Sequence, residues 1–119
     1  MQFSEYGLTA DQKALCQSVR ALCARYPESY WRELDAKGAY PTEFIDALTQ
    51  GGFLAALIPE QYGGLGLGVM DGGLILEEIN RSGGNAGACH AQMYIMGTVL
   101  RHGSPEQKER RVHMAVELE

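Results

Sequence analysis

The stretch that decides the fold runs from Phe53 to Ile79 and reads FLAALIPEQYGGLGLGVMDGGLILEEI. An apolar segment leads into a Pro-Glu-Gln-Tyr-Gly-Gly turn at residues 59–64, and a glycine-spaced loop then leads into a helical segment. Proline fixes φ and has no backbone donor, whereas glycine tolerates positive φ. The stretch therefore predicts that the chain winds tightly between two buried elements.

Start and stop signals of helices recur on both sides of this stretch. Thr9 and Gln12 form a capping-box pair, and Ser104 and Gln107 form a second one. Glycine after a helix and proline at a first turn mark the other boundaries. These signals predict six helices, between Thr9 and Pro27, Glu28 and Lys37, Pro41 and Gly51, Val69 and Ser82, Ala86 and Arg101, and from Ser104 toward the end.

No alternating pattern of apolar and polar residues competes with these helices, and no internal repeat is visible. We therefore predict an all-α fold, an up-and-down-type bundle of five to six helices. The 119 residues suit one domain, 1–119.

Composition excludes several classes of function. The net charge of −5 and the pI near 5.2 argue against a nucleic-acid partner or an anionic membrane, because both require a basic patch. No apolar run is long enough to span a bilayer, and the start of the chain has no secretory pattern. Three cysteines without a CxxC motif favour a reducing compartment, so we expect a cytoplasmic protein.

The glycines from Gly64 to Gly68 invite a dinucleotide-binding interpretation. They are spaced GxGxG rather than GxGxxG, and residues 59–62 separate them from the apolar segment where a strand should lead directly into the turn. No Gly-Lys-Ser/Thr sequence occurs, which excludes a P-loop. We favour a structural turn over a phosphate cradle.

The charged and nucleophilic residues form no self-sufficient catalytic site. Glu77 and Glu78 are adjacent, so on a helix they point about 100° apart and cannot share a proton or a metal. A solvated face, or an ion pair between Glu77 and Arg81, is the expected role. The three histidines lack metal-ligand spacing, and no Gly-x-Ser-x-Gly elbow occurs. We predict no catalytic residue and no metal site.

The helix predicted between Ala86 and Arg101 is apolar in nearly every direction. Helices that are apolar all round are usually buried all round. Two alternatives follow: the bundle buries this helix on all sides, or one side of the helix faces protein outside this chain. His90 lies on this helix, either as a core or surface-lining histidine or in a catalytic role.

Several segments of the sequence resemble, in the same order, the amino-terminal helical domain of the acyl-CoA dehydrogenase family. The resemblance covers nearly the whole chain and rests on LTADQKALCQSVRALCARY, YPTEFIDALTQGGFLAALIPEQYGGLGLG, LILEEINRSGGNAG and GTVLRHGSPEQKERR. Together these segments are more specific for the family than PEQYGGLGL alone.

The resemblance implies an oxidoreductase of fatty acid metabolism that uses FAD. Such flavoproteins convert acyl-CoA thioesters to 2-enoyl-CoA; a carboxylate removes the α-proton and the flavin accepts the β-hydrogen as hydride. They combine an amino-terminal helical domain, a middle β-domain and a carboxyl-terminal helical bundle, usually as homotetramers. This chain resembles only the first domain, and the family's base and most of its flavin site lie in the others. The implied partners are therefore an acyl-CoA substrate and the remaining domains. We expect the chain alone to be inactive and not to hold FAD by itself, and its cofactor-binding residues are unknown.

The resemblance also implies a site. Aligned on residues 103–108, Ala86, Gly87, His90 and Tyr94 fall on the helix that walls the family's acyl pocket. The two small residues would leave space, while His90 and Tyr94 would limit depth or add polarity. We therefore expect a short, branched or functionalised acyl group.

Two questions stay open at this point. The rival to the enzyme-domain hypothesis is a stand-alone helical protein-interaction module derived from the same fold. The tail from Arg111 to Glu119 departs from the family pattern. A cloning remnant at residues 118–119, a truncation or an altered reading frame would each account for it.

Overall fold

The computed structural model describes residues 5–112, which form six α-helices and no strand. Two short 3-10 turns lie between the third and fourth helices, and the last helix continues as a π-helical turn over Lys108–Val112. The helices are α1 (Ala10–Cys23), α2 (Glu28–Lys37), α3 (Thr42–Gln50), α4 (Val69–Arg81), α5 (Gly87–His102) and α6 (Pro105–Gln107). The prediction of an all-α bundle is confirmed.

Both predicted capping boxes are present. The Thr9 hydroxyl accepts a hydrogen bond from the Gln12 amide at 3.1 Å, and the Gln12 side chain accepts one from the Thr9 amide at 3.1 Å. Ser104 and Gln107 repeat the arrangement at 3.1 and 2.9 Å. Each pair satisfies two amides that a helix start leaves unpaired, which explains why α1 and α6 begin where they do.

Two predicted boundaries shift by a few residues. The first helix ends at Cys23, before Pro27, and this proline instead caps the start of α2. Pro41 likewise caps α3, whose first residue is Thr42. Pro41 therefore stands just outside α3 rather than at the first helical position for which it was predicted.

The larger of two buried hydrophobic clusters connects α1, α3, α4 and α5. Its fully buried members include Val19, Phe44, Leu48, Ile75 and Cys89. Trp31 of α2 packs on this core, with its ring centroid 4.9 Å from that of Phe44. The molecule measures 43 × 39 × 19 Å, and its short dimension suits two layers of helices about 10 Å thick.

The glycine loop folds back onto the apolar segment before it. The amides of residues 65, 66 and 67 donate to the carbonyls of Ala55, Ile58 and Ala56 at 3.1, 2.8 and 2.9 Å. Gly63 and Gly66 adopt φ of 89° and 65°, a conformation that glycine reaches without steric cost. The predicted tight winding is therefore confirmed.

The surroundings of α5 distinguish the two alternatives for this helix. Cys89 and Met93 are buried against the core, whereas Tyr94 and Ile95 are 56% and 47% exposed. Burial on all sides is therefore wrong, because the bundle covers only one face of α5.

The end of the described chain is anchored by Val112, which is fully buried against Ala55 and Ile58. The last helix, predicted to run toward the end, is present as far as this residue. Residues 113–119, which carry most of the atypical tail, lie outside the described residues. Between residues 5 and 112, no helix combines the length and apolarity needed to cross a membrane.

Candidate functional site

The corner between α4 and α5 positions the predicted site. Gly83 takes φ of 90°, and Gly84 lies so close to Trp31 that a Cβ there would be 2.9 Å from the indole ring. The Asn85 side-chain oxygen then accepts a hydrogen bond from the Gly87 amide at 2.8 Å. This link turns the chain sharply and places the start of α5 beside the end of α4.

An open groove of about 260 Å³ lies at this corner. Ala86, Gly87 and His90, three of the four residues predicted for the acyl pocket, line it together. Ala86 is buried, whereas Gly87 and His90 are exposed. The full lining consists of Leu76, Asn80, Asn85, Ala86, Gly87 and His90.

Tyr94, the fourth predicted residue, does not line the groove. Its ring lies one helical turn beyond His90, with the two ring centroids 5.1 Å apart in an edge-to-face arrangement. The four residues thus share one side of α5 without forming a single lining. Their role in holding an acyl group stays a prediction.

Asn80 and Asn85 belong to the groove and were not predicted from the sequence. They are the only asparagines in the chain. Asn80 follows Leu76 by four residues on α4, so both side chains reach the same side of that helix. Two signals in the sequence could have identified them: the four-residue spacing of Leu76 and Asn80, and an asparagine in the break before α5.

The prediction for Glu78 is wrong in part. Glu77 is exposed and pairs with Arg81 at 2.7 Å, as expected. Glu78, in contrast, is only 4% exposed and receives two hydrogen bonds from Arg20, at 2.8 and 3.2 Å. The 100° step between neighbours turns Glu78 toward α1 instead of solvent. Hydrogen bonding to Glu78 raises the pKa of Arg20, and Glu5 adds a weaker contact at 3.4 Å.

The glycine loop does not fit the phosphates of a dinucleotide. A phosphate cradle needs backbone amides that point to the ligand. Here every amide from residue 63 to residue 68 donates to a carbonyl or carboxylate of the chain, at 2.8–3.2 Å. The structural-turn interpretation thus accounts for all of these donors, and no step of flavin chemistry is assigned to this loop.

The cysteines are unsuited to nucleophilic catalysis. Cys16, Cys23 and Cys89 are free and buried. Burial raises the pKa of all three thiols, that of Cys89 to about 12. A thiolate is the reactive form, so these groups stay protonated near neutral pH. No cluster of three His, Cys, Asp or Glu side chains within the described range is arranged to hold a metal ion.

Comparison with known proteins identifies the family. The family described as acyl-CoA dehydrogenase, N-terminal domain, matches residues 9–119. The chain is 38% identical to a cyclohex-1-ene-1-carbonyl-CoA dehydrogenase of Geobacter metallireducens, over 87% of the chain and 27% of that protein. It is 31% identical to a probable acyl-CoA dehydrogenase of Escherichia coli, over 95% of the chain and 30% of that protein.

The name of a third relative states a different reaction. It is a 3-sulfinopropanoyl-CoA desulfinase of Cupriavidus necator, 33% identical over 87% of the chain and 27% of that protein. No solved structure matches the chain. The chain thus spans no more than about a third of the length of each of these relatives. The matched region nevertheless covers most of this chain. On the match across residues 9–119, the chain belongs to the acyl-CoA dehydrogenase N-terminal domain family.

Proposed function

We propose that this chain acts as the amino-terminal helical domain of an FAD-dependent acyl-CoA dehydrogenase. The reaction that we propose is the α,β-dehydrogenation of an acyl-CoA thioester; two of the relatives are described by name as dehydrogenases of CoA thioesters. The observation that carries the proposal is the open face of α5, where His90 lies in a groove and Tyr94 projects beside it. A domain that lines a pocket shared with other domains must leave such a face uncovered.

The contribution of this chain is to bind and shield the acyl group. Ala86 and Gly87 leave room next to the end of α4, while His90 and Tyr94 form an aromatic step along α5. FAD is the oxidant that the family implies, and we place it, together with the base, in parts of the enzyme beyond this domain. The chain alone is then inactive.

We further propose that the enzyme serves fatty acid metabolism in the cytoplasm as a homo-oligomer. Three free, buried thiols fit a reducing compartment. The oligomer rests on the family resemblance, and sedimentation of the intact enzyme tests it.

The test of the function uses the polypeptide that contains this chain, purified with its flavin. We expect at least one acyl-CoA to bleach the flavin absorbance under anaerobic conditions. We also expect His90→Ala to change the acyl-chain-length preference, because His90 lines the groove. His102→Ala, at the far end of the same helix, is the matched control and leaves the preference unchanged.

Two results would contradict the proposal at different points. An unaltered chain-length preference in His90→Ala removes His90 from the acyl wall but leaves the reaction intact. A polypeptide that no acyl-CoA reduces rejects the reaction itself. The stand-alone interaction module is then favoured, with Tyr94 and Ile95 as the exposed side chains that bind a partner helix.

A further inference from the structure

We infer that the groove at the α4–α5 corner selects acyl groups that carry a neutral, hydrogen-bond-accepting oxygen beyond the two carbons that react. This inference rests on the proposed function and narrows its substrate class. A hydroxyl or oxo group on the far part of the acyl chain is the chemistry that the groove recognises.

The first argument is the set of hydrogen-bond donors around the groove. Asn80, Asn85 and His90 bring polar side chains to a lining whose other side chains, Leu76 and Ala86, are apolar. Asn85 uses its side-chain oxygen to hold the Gly87 amide, which leaves its NH₂ group directed elsewhere. Among the described residues, neither the Asn80 nor the His90 side chain makes a hydrogen bond, and the His90 ring has an edge-to-face contact with the Tyr94 ring. The groove therefore offers donors that the protein itself does not satisfy.

The second argument is the cost of a purely apolar occupant. In the open groove, water satisfies the asparagine and histidine donors. An alkyl chain would displace this water and leave the donors unpaired, whereas an oxygen atom would replace the lost hydrogen bonds. Sites built with such donors discriminate against the analogue that lacks the oxygen.

The third argument concerns charge. No lysine or arginine lines the groove. A carboxylate on the acyl chain would lose its hydration without gaining a cationic partner from this domain, which is unfavourable. A neutral oxygen avoids this cost, so the preferred substituent is a hydroxyl or oxo group rather than a second acid.

The groove is also small. Its volume is about 260 Å³, and it is the part of the acyl pocket that this domain contributes.

The experiment compares two substrates of equal length with the flavin-loaded polypeptide that contains this chain. The first is the straight acyl-CoA with the highest kcat/KM, and the second is the same acyl group with a hydroxyl on its last carbon. We expect a preference of about fivefold or more for the hydroxylated substrate, the effect of one net hydrogen bond. Titration calorimetry with the unreactive thioether analogues of both substrates should show the same order of affinity.

Asn80→Leu removes the donor and keeps a similar shape. We expect this variant to bring the ratio of the two kcat/KM values close to one. Gln50→Leu, an amide-to-leucine change on an exposed residue of α3, is the matched control and keeps the ratio of the unmodified enzyme.

The outcomes separate this inference from the function on which it rests. Equal or better use of the unsubstituted acyl-CoA by the unmodified enzyme overturns the inference and leaves the dehydrogenase proposal standing. A preference that survives in both Asn80→Leu and His90→Phe also overturns it, because the oxygen is then recognised elsewhere. A polypeptide inert toward every acyl-CoA rejects the function, and the inference falls with it. If Asn80→Leu does not fold, the ratio of the two kcat/KM values and the calorimetry of the unmodified enzyme still decide whether the groove prefers the hydroxylated acyl group.

Discussion

Gly64 and Gly73 are nine positions apart and occupy opposite environments. Gly64 packs directly against Ile58, where a Cβ would collide with the backbone oxygen and lie 2.5 Å from the Ile58 Cβ. Gly73 lies in the middle of α4, and a Cβ there would meet nothing within 4 Å. Only the first glycine is required by the packing.

We therefore expect alanine to act in opposite directions at the two positions. Gly64→Ala should lower the free energy of unfolding by at least about 2 kcal/mol, because the added methyl group forces the loop away from Ile58. Gly73→Ala should raise it by about 0.5–1 kcal/mol, because alanine is the better helix former. Urea denaturation of both variants measures the difference. Similar effects at the two sites would contradict this account of the loop.

At the scale of elements, a buried ion pair adds to the core packing that joins α1 to α4. Arg20 reaches from α1 to the Glu78 carboxylate with two hydrogen bonds, and only 5% of the Glu78 side chain is exposed. Its neighbour Glu77 makes an equally short contact with Arg81 on the surface of α4. The two glutamates provide a matched comparison of a buried and an exposed pair.

We expect Glu78→Gln to lower the free energy of unfolding by about 2 kcal/mol, less than the roughly 3–5 kcal/mol of a fully buried broken pair because the Arg20 side chain is partly exposed. Glu77→Gln should cost less than about 1 kcal/mol, since surface pairs are screened by solvent. Thermal denaturation followed by circular dichroism distinguishes the two. If Glu77→Gln were the more destabilising change, the buried pair would not contribute more to stability than the surface pair.

At the scale of the whole molecule, the shared core predicts one cooperative unit. Helices α1, α3, α4 and α5 all contribute buried residues to it, and α2, which has no buried residue of its own, is attached through Trp31. Trp31 is the only tryptophan, so its fluorescence reports the attachment of α2. Far-ultraviolet circular dichroism reports all helices together.

We expect the two signals to follow the same unfolding curve in urea, as a single transition requires. The Phe44→Leu variant should move both curves to lower urea by the same amount, because Phe44 packs on Trp31 within the shared core. Loss of the tryptophan signal before the helical signal would show that α2 detaches as a separate unit.

The local features of the fold were predictable from the sequence. The capping boxes at Thr9 and Ser104 and the turn at residues 59–64 depend on residues within a few positions of each other. Such contacts are determined by the types and spacing of neighbouring residues. The helices and the glycine turn could therefore be predicted from the sequence alone. Membership of the family was predicted from sequence segments that occur in the family's order, and the match over residues 9–119 confirms it.

The tertiary structure decided what depends on distant residues. Glu77 and Glu78 look alike in the sequence, and only the approach of α1 makes one of them a buried partner of Arg20. The apolar pattern of α5 left two alternatives, and the packing of the bundle against only one face of this helix resolved them. Asn80 and Asn85 joined His90 in one groove because the turn at residues 82–86 folds α5 back beside α4. Local sequence thus determined the helices and their ends, while side-chain environments were set by contacts between residues far apart in the chain.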